Sequence, residues 1–368
     1  MGSLIHETLT DEGRALEAPA SSPDADLYAE WAALAERCAA SPFCHPGWIA
    51  TWADTFAAGR LSVIGVRRDG RLVGVAPYIS RATAVCSPTN WHTPVFGLVA
   101  ADSRARDELA DHLVEAASPR LDLSFLDDGS DDLRALRGAG SRAGRLVLVR
   151  TMQCSPYVEV DGDWDGYLRN VGSKPLRELR RRRRRLEDEG RLVVEFVRPE
   201  ADRLDDLLDE GFAVEGSGWK NDRGTAIVSR PETRRFYTDI ARWAAREGWL
   251  MLAFLRVGGR AAAFDLCLEA GGRTYVLKGG YDPVFRTFAP RTILLHDSLE
   301  RSFALGMGSY EFLGADEDYK RRWATGKRDR RRLQLFARTP AGLAGYVAWT
   351  AGRSVGKRAL AIRDRVAT

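Results

Sequence analysis

Helical and extended patterns of apolar residues alternate along the chain. Apolar residues at helical spacing predict helices over 26–40, around Trp48–Phe56, and over 104–118, 204–215, 231–248 and 290–306. Strand patterns occupy 61–80, where an Asp-Gly turn joins two strands, and then 121–127, 145–150, 249–281, 309–313 and 332–338. Gly-Gly turns divide the 249–281 stretch into strands, and 341–366 has the pattern of short helices. This mixture predicts an α/β (α+β) fold.

Two of the predicted hairpins are similar to each other. The stretch Asp69–Val75 aligns with Gly258–Phe264, and helices and an apolar strand precede each of them. Internal similarity of this kind indicates two copies of one supersecondary unit, and 368 residues are enough for about two domains. We predict an N-terminal domain over 26–152 and a C-terminal domain over 153–340. Residues 1–25 are predicted to be a disordered leader and 341–368 a helical tail.

Composition excludes several classes of protein. Hydrophobic residues make up 45% and charged residues 29% of the chain, as is typical of globular proteins. The apolar runs are short and interrupted, so no transmembrane helix is expected, and the N-terminus lacks the apolar region of a secretory signal. The five cysteines and five histidines are scattered, so neither disulfides nor a metal site is predicted. The expected compartment is the reducing cytoplasm.

Charge is distributed unevenly along the chain. The formal net charge is +4, but residues 1–150 carry 15 Lys and Arg against 20 Asp and Glu, a net −5. Residues 151–368 carry 40 against 31, a net +9. Any polyanionic ligand is therefore expected on the second half of the chain.

Several motifs occur in one order along the chain. They are GRLVGVAPYI at 70–79, LRELRRRRRRLEDEG at 176–190, EGSGWK at 215–220, LKGGYD at 277–282 and YEFLGADEDYKRRW at 310–323. Together they resemble the BioF2-like (CelD/BcsL-type) acetyltransferases of the GNAT superfamily, which are related to Fem aminoacyl transferases. The resemblance covers about residues 27–338. It implies tandem GNAT-like domains, each a mixed, mostly antiparallel sheet flanked by helices, with the acyl-transfer site mainly in the second.

The resemblance implies an N-acyltransferase. Its donor would be acyl-CoA, as a co-substrate, and its acceptor an amine of a small molecule or amino sugar. Two alternatives stay open: a Fem-like transferase that takes its acyl group from aminoacyl-tRNA, and a GNAT-like binding protein without catalytic activity. Acyl transfer requires binding of the donor phosphates, removal of a proton from the amine and stabilisation of an oxyanion.

The helix predicted at 290–306 is the candidate donor site. Pro290 suits the first turn of a helix, and the backbone amides of Arg291, Thr292 and Ile293 would then be free at its N-terminus, which favours anions. In GNAT-like folds the helix in this place receives the pyrophosphate, so the resemblance implies that these residues bind the cofactor. The alternative is an ordinary helix that packs into the core.

The EGSGWK motif supplies the candidate general base. Glu215 stands beside apolar and aromatic residues, where a carboxylate suits proton abstraction or binding of the acceptor amine. Lys220 is a second catalytic candidate, and Trp219 is a candidate for substrate binding. The alternative is a Glu–Lys pair that holds a loop.

The LKGGYD motif places polar side chains at the end of a predicted strand. Tyr281 is a candidate donor to the leaving thiolate or to the oxyanion, and Lys278 and Asp282 are candidates for substrate binding. The alternative for Tyr281 is a structural tyrosine at the end of a hairpin.

The loop after the strand at 309–313 carries further candidates. In Fem-type relatives a lysine in a comparable context contacts the substrate, so the resemblance implies that role for Tyr319 and Lys320. A lysine there can offset charge on a phosphate or on the tetrahedral intermediate. Asp316 is a further candidate for substrate binding, and the alternative for all of them is a solvated acid–base turn.

Two stretches, Arg180–Arg185 and Lys327–Arg332, are strongly basic. Leucines at helical spacing around the first stretch place it on a helix. The two stretches are candidates for binding CoA phosphates, a nucleotide sugar, an acidic lipid surface or tRNA. No aromatic residues are interleaved with them, so sequence-specific DNA binding is not expected. The alternative is a solvated helix that pairs with nearby acids.

Overall fold

The computed structural model describes residues 5–9, 15–18, 25–57, 60–217 and 226–351. The chain divides into two compact units. The first unit comprises Met1–Ile49, Phe56–Met152 and Asp329–Thr368, and the second unit comprises Ala50–Thr55 and Gln153–Arg328.

Strands and helices alternate through both units. The strands are β1 (Ile5–Leu9), β2 (Ala15–Ala18), β3 (Leu61–Arg68), β4 (Arg71–Arg81), β5 (Ala84–Cys86), β6 (Val99–Ala100), β7 (Arg120–Asp127), β8 (Leu146–Glu159), β9 (Leu192–Val197), β10 (Leu250–Val257), β11 (Arg260–Ala270), β12 (Arg273–Tyr281), β13 (Ser309–Glu311) and β14 (Gly326–Phe336). The helices are α1 (Ala25–Arg37), α2 (Pro46–Phe56), α3 (Ser103–Ala116), α4 (Asp131–Arg142), α5 (Trp164–Val171), α6 (Ser173–Glu187), α7 (Ala201–Gly216), α8 (Pro231–Arg246), α9 (Pro290–Ala304), α10 (Asp318–Arg321) and α11 (340–351). Short 3-10 helices cover Pro42–Cys44, Ile227–Ser229 and Pro283–Phe288.

The first unit has a mixed sheet built around a hairpin. β3, β4 and β5 pair in antiparallel order, β5 lies parallel to β7, and β7 is antiparallel to β14. β1 pairs with β2 and runs parallel to β3, so residues 1–25, predicted to be a disordered leader, contain two strands. Leu109 and Leu113 of α3 pack with Leu121 and Leu123 of β7 in the core.

The second unit has a sheet in the order β8, β13, β12, β11, β10, β9. Its described pairings are antiparallel except that β12 runs parallel to β13. Met251 and Leu255 of β10 pack with Ile293 of α9 on one face. On the other face Gly211 of α7 lies against the ring of Phe264. Burial on both faces explains why β10 is an almost unbroken apolar run.

The two units repeat one arrangement of backbone. In each unit two helices precede a hairpin, a third strand follows, and a helix then leads to a strand parallel to that third strand. Both hairpin turns, Asp69–Gly70 and Gly258–Gly259, have positive φ. Each ladder also shifts by one residue at the same place, leaving Val73 unpaired in the first hairpin and Ala262 in the second. Because these two residues are equivalent in the predicted alignment, the bulge supports two copies of one unit.

Most predicted elements are confirmed within a few residues. The elements that were not predicted are α4, α5 and β9 and the shorter β1, β2, β5, β6 and α10. α4 contains Gly138 and Gly140, which disfavour a helix in isolation. A Cβ at position 140 would lie 2.8 Å from the side chain of Leu335, so this glycine allows close packing of α4 on β14. Tertiary packing therefore outweighs the local preference.

Candidate functional site

β12 and β13 separate within the second unit, and a pocket of about 540 Å³ opens between them. The two strands pair only over Arg273–Tyr275 and Ser309–Glu311, while β12 continues along β11 to Tyr281. After β13 the chain turns at Leu313 and Gly314, whose φ angles are +53° and +61°. The edge of β12 beyond Tyr275 therefore lines the pocket together with residues 312–314.

The pocket brings most of the predicted site residues together. Those that line it are Glu215, Lys278, Tyr281, Arg291, Thr292, Tyr319 and Lys320. Ile293 is instead fully buried in the core, and neither Asp282 nor Asp316 lines the pocket. Trp219 and Lys220 lie in 218–225, outside the described residues.

Glu215 lies at the C-terminal end of α7 and is only 1% exposed. Its Oε2 accepts a hydrogen bond from the backbone amide of Ile227 at 2.9 Å. Burial, together with the charge of Glu215, raises the pKa of the neighbouring Tyr237. A Cβ at position 280 would lie 2.6 Å from the Cα of Glu215, so Gly280 allows the end of α7 to reach β12. The carboxylate is thereby held at the wall of the pocket.

Lys278 and Tyr281 both belong to the part of β12 that lines the pocket. The Nζ of Lys278 lies 5.3 Å from the centre of the Tyr237 ring, a distance at which a cation is attracted to the ring face. Tyr281 is half-buried at the end of the strand. The lining of the pocket thus includes a carboxylate, an ammonium and a phenol hydroxyl.

The first turn of α9 also lines the pocket. Ala289 precedes it in the left-handed conformation, with φ of +50°. The amides of Thr292 and Ile293 donate to the carbonyl of Ala289 at 2.9 and 3.4 Å, so they are not free as predicted. Among the described residues, only the Arg291 amide of the three has no acceptor. With the exposed Arg286 at the same end of the helix, it provides a place that favours an anion.

Arg291 joins two buried elements at the pocket wall. Its Nε donates to Asp265 of β11 at 3.1 Å and its Nη1 donates to the hydroxyl of Tyr319 at 3.0 Å. Burial opposes the charge of Arg291, but the Asp265 carboxylate outweighs it and raises the pKa of the guanidinium. Burial also raises the pKa of Tyr319. A Cβ at position 279 would collide with the Asp265 carboxylate, so Gly279 makes room for this ion pair.

Asp265 was not predicted as a site residue. It lies within the apolar run AAAFDLCLEA and is 2% exposed. A lone aspartate in an otherwise buried strand is the signal that could have identified it, because buried carboxylates are almost always paired.

Lys320 is 5% exposed, and its ammonium binds the loop that carries it. Nζ donates to the carbonyls of Leu313 and Ala315 at 2.9 and 3.1 Å and pairs with Glu317 at 2.9 Å. These contacts hold the tight turn at Gly314 closed around the ammonium. Lys320 therefore lies in the pocket wall, where its ammonium stabilises the loop after β13.

Asp282 and Asp316 make contacts outside the pocket. Asp282 accepts a hydrogen bond from the amide of Val284 at 3.0 Å, which caps the 3-10 helix Pro283–Phe288, and it also pairs with Arg260. Asp316 pairs with Lys327 at 2.6 Å. The hydrogen bond from Lys327 lowers the pKa of Asp316.

We expect Asp282→Ala to lower the free energy of unfolding by about 1 kcal/mol, because a capping carboxylate is lost. Donor binding is expected to be unchanged. Chemical denaturation measures the first effect and a titration with CoA the second. Asp316→Ala is the matched control and should change stability less, since the Asp316 carboxylate is more exposed than that of Asp282. Weaker CoA binding in Asp282→Ala, but not in Asp316→Ala, would show that Asp282 contributes to donor binding.

The basic stretch Arg180–Arg185 lies on α6 and is only partly paired. Arg181 and Arg182 bind Glu178, and Arg183 binds Asp297. Arg185 stacks over the ring of Phe288 at 5.4 Å. The stretch thus retains exposed positive charge.

The basic stretch Lys327–Arg332 lies in β14, and each of its cations is paired with an acid. The pairs are Lys327–Asp316, Arg328–Glu311, Arg330–Asp127, Arg331–Asp128 and Arg332–Asp122. This pairing explains why a highly charged segment forms a strand, which begins at Gly326 rather than at the predicted residue 332. The same pairing neutralises the positive charge of this stretch, which was predicted to bind a polyanion.

One group of side chains in the described part of the chain has the spacing of metal ligands. His296, Asp297 and Glu300 of α9 lie within 4.8 Å of one another. Asp297 already accepts hydrogen bonds from Arg183 at 2.8 and 2.9 Å and lies 2.8 Å from the Nδ1 of His296. The carboxylate is therefore part of an ion pair with α6. No described helix is long and apolar enough to cross a membrane.

Comparison with known proteins agrees with this architecture. Residues 173–321 match the family model described as an acetyltransferase (GNAT) domain. A search of curated proteins finds no match.

Several solved structures share the fold. The C-terminal domain of a candidate lysylphosphatidylglycerol synthetase from Agrobacterium fabrum has a TM-score of 0.55 at 14% identity, over 89% of this chain and 96% of that one. A conserved protein of unknown function from Bacteroides thetaiotaomicron has a TM-score of 0.56 at 11% identity, over 84% and 97%. FemX has a TM-score of 0.50 at 15% identity, over 76% and 90%. At these identities the likeness concerns the fold.

The fold class is the predicted one. Two GNAT-like units follow each other, each with a mostly antiparallel sheet flanked by helices, and α11 forms a short helical tail. The pocket residues Glu215–Lys320 all lie within the matched segment. The match of residues 173–321 to a GNAT acetyltransferase domain therefore supports an acyltransferase.

Proposed function

We propose that the chain is a BioF2-like N-acyltransferase that moves an acyl group from acyl-CoA to the amine of a small molecule or amino sugar. The observation that carries this proposal is the pocket between the separating strands β12 and β13. It combines an open strand edge, the first turn of α9 and a buried carboxylate within one matched GNAT domain.

The pocket can hold an extended donor that ends in phosphates. β12 has no described strand partner on its β13 side beyond Tyr275, so its backbone can hydrogen-bond to the amides of a pantetheine arm. The Arg291 amide and the Arg286 guanidinium can bind the pyrophosphate. Thr292 lines the same end of the pocket and can add its hydroxyl.

The side chains of the pocket suit acyl transfer. Glu215 takes a proton from the acceptor amine, whose nitrogen attacks the thioester carbonyl. The new C–N bond forms, the C–S bond breaks, and the thiolate takes a proton from Tyr281. The ammonium of Lys278 offsets charge on the tetrahedral intermediate. Tyr319 and Lys320 shape the wall of the pocket through Arg291 and the loop carbonyls.

Thermal-shift titration with CoA, acetyl-CoA and longer acyl-CoAs tests the donor. Ligand at about 100 times its Kd adds about 2.7 kcal/mol to stability, so the melting temperature should rise by several degrees. The rise should diminish in Arg286→Ala, while Arg242→Ala, an exposed arginine on α8, serves as the matched control. No rise with any CoA compound at low salt would overturn the acyl-CoA proposal.

An aminoacyl-tRNA donor is the second candidate. It is supported by the exposed Arg180 and Arg184 of α6 and by the shared fold with FemX. The neutralised charges of β14 weigh against it, because tRNA requires a wide basic surface. Binding of tRNA would decline steeply with salt, whereas CoA, with few phosphates, would show a shallow dependence.

A further inference from the structure

A second, smaller cavity lies next to the pocket where β12 and β13 begin to separate. It holds about 10 Å³, and its polar lining consists of Asp265, Arg291, Tyr310 and Tyr319. Arg291 and Tyr319 line both spaces. Val276 and Phe312, which directly follow the residues where β12 and β13 last pair, also line both. The smaller cavity thus adjoins the pocket and shares part of its wall.

Tyr310 is the unusual member of this lining. It is 0% exposed, and its hydroxyl has no hydrogen-bond partner among the described residues. Buried hydroxyls are nearly always paired, because an unpaired one loses its hydrogen bonds to water without replacement. Burial, together with Cys267 and Asp265, raises the pKa of Tyr310, so the hydroxyl keeps its proton and can donate.

The dimensions of the cavity restrict what Tyr310 can bind. A volume of about 10 Å³ corresponds to a single group of the size of a water molecule. A group larger than this would not fit. An alkyl group of this size would fit but would leave the tyrosine hydroxyl unpaired. An ammonium would lie beside the guanidinium of Arg291, and a carboxylate beside Asp265, so a neutral group is favoured.

We propose that this cavity is a subsite for a hydroxyl group at the end of a short acyl chain, which hydrogen-bonds to Tyr310. The proposal rests on the acyl-CoA function proposed above and names the class of acyl group. A hydroxyl is both donor and acceptor, so it can bind the tyrosine in either direction. The site then binds plain alkyl chains more weakly, because they leave Tyr310 unpaired.

Calorimetric titration with isosteric CoA esters tests the subsite. The set is butyryl-CoA, 3-hydroxypropionyl-CoA and 3-aminopropionyl-CoA, with propionyl-CoA and glycolyl-CoA as the shorter pair and free CoA as the reference. At one of the two lengths the hydroxylated ester should bind about tenfold more tightly than its alkyl counterpart. Tyr310→Phe should reduce this ratio to about one without weakening the alkyl ester.

Tyr275→Phe is the matched control. Tyr275 is a buried tyrosine of β12 that lines neither cavity, so its variant should keep the preference for the hydroxylated ester. Melting temperatures show whether both variants fold. The comparison of hydroxylated with alkyl esters in the wild-type protein tests the subsite even if a variant fails to fold.

The outcomes are distinguishable. Equal Kd values for hydroxylated and alkyl esters at both lengths would overturn the subsite and leave the acyl-CoA function intact. Tighter binding of the amino ester would overturn the choice of a neutral hydroxyl, and a preference that persists in Tyr310→Phe would overturn the role of Tyr310. If neither free CoA nor any ester binds, both the proposed acyl-CoA function and the subsite are contradicted.

Discussion

Replacing Glu215 with glutamine is expected to lower kcat for acyl transfer by about 10²–10⁴-fold, the usual contribution of a general base. The amide oxygen of glutamine can still accept the hydrogen bond from Ile227, so the end of α7 and its contact with β12 should be retained. Only the ability to take a proton from the amine is lost. Release of the CoA thiol from acetyl-CoA, with a panel of amino sugars and amino acids as acceptors, measures the effect.

Glu317→Gln is the matched control for Glu215→Gln. Glu317 also lines the pocket, but its carboxylate is half-exposed and pairs with Lys320. We expect its replacement to change kcat much less. Comparable losses in the two variants, or a normal kcat in Glu215→Gln, would remove Glu215 from the chemistry and leave it as a structural acceptor for the Ile227 amide.

Replacing Asp265 with alanine is expected to lower the free energy of unfolding by about 3 kcal/mol or more, because it leaves the guanidinium of Arg291 without its carboxylate. For a unit of this size the melting temperature should decrease by roughly 6–12 °C. Donor binding should weaken as well, since Arg291 is the second residue of α9 and lines the pocket. Thermal denaturation and CoA titration measure the two effects.

A double variant separates the ion pair from the individual charges. Asp265→Leu combined with Arg291→Met replaces the pair by apolar groups and should recover most of the lost stability, because no unpaired charge remains buried. Asp205→Ala is the control for a surface pair, since Asp205 and Arg242 are both well exposed, and it should change the melting temperature little. A double variant that is less stable than Asp265→Ala would contradict this account.

Much of the candidate site could be predicted from the sequence. Motifs at the ends of predicted elements identified Glu215, Lys278, Tyr281 and Lys320, and the structure brings all of them to one pocket. Their roles in the reaction remain predictions. The motifs were informative because strand ends and helix starts are local features, set by residues close together in the chain.

The direction of individual side chains could not be predicted. The Lys320 ammonium turns to the carbonyls of Leu313 and Ala315, which depends on the positive φ of Gly314. Asp265 pairs with Arg291, a residue of another element, and the unpaired hydroxyl of Tyr310 is evident only once its neighbours are placed. Such contacts join residues that are distant in the chain.

The sequence by itself determined the order of helices and strands and the repetition of one unit, because the spacing of apolar residues and the Asp69–Gly70 and Gly258–Gly259 turns act locally. The tertiary structure alone decided where the pairing of β12 with β13 ends, which charges of β14 are neutralised and which polar groups line the smaller cavity. These outcomes depend on strand pairing and on the desolvation of charges, both of which are set by residues that meet only when the sheet is assembled.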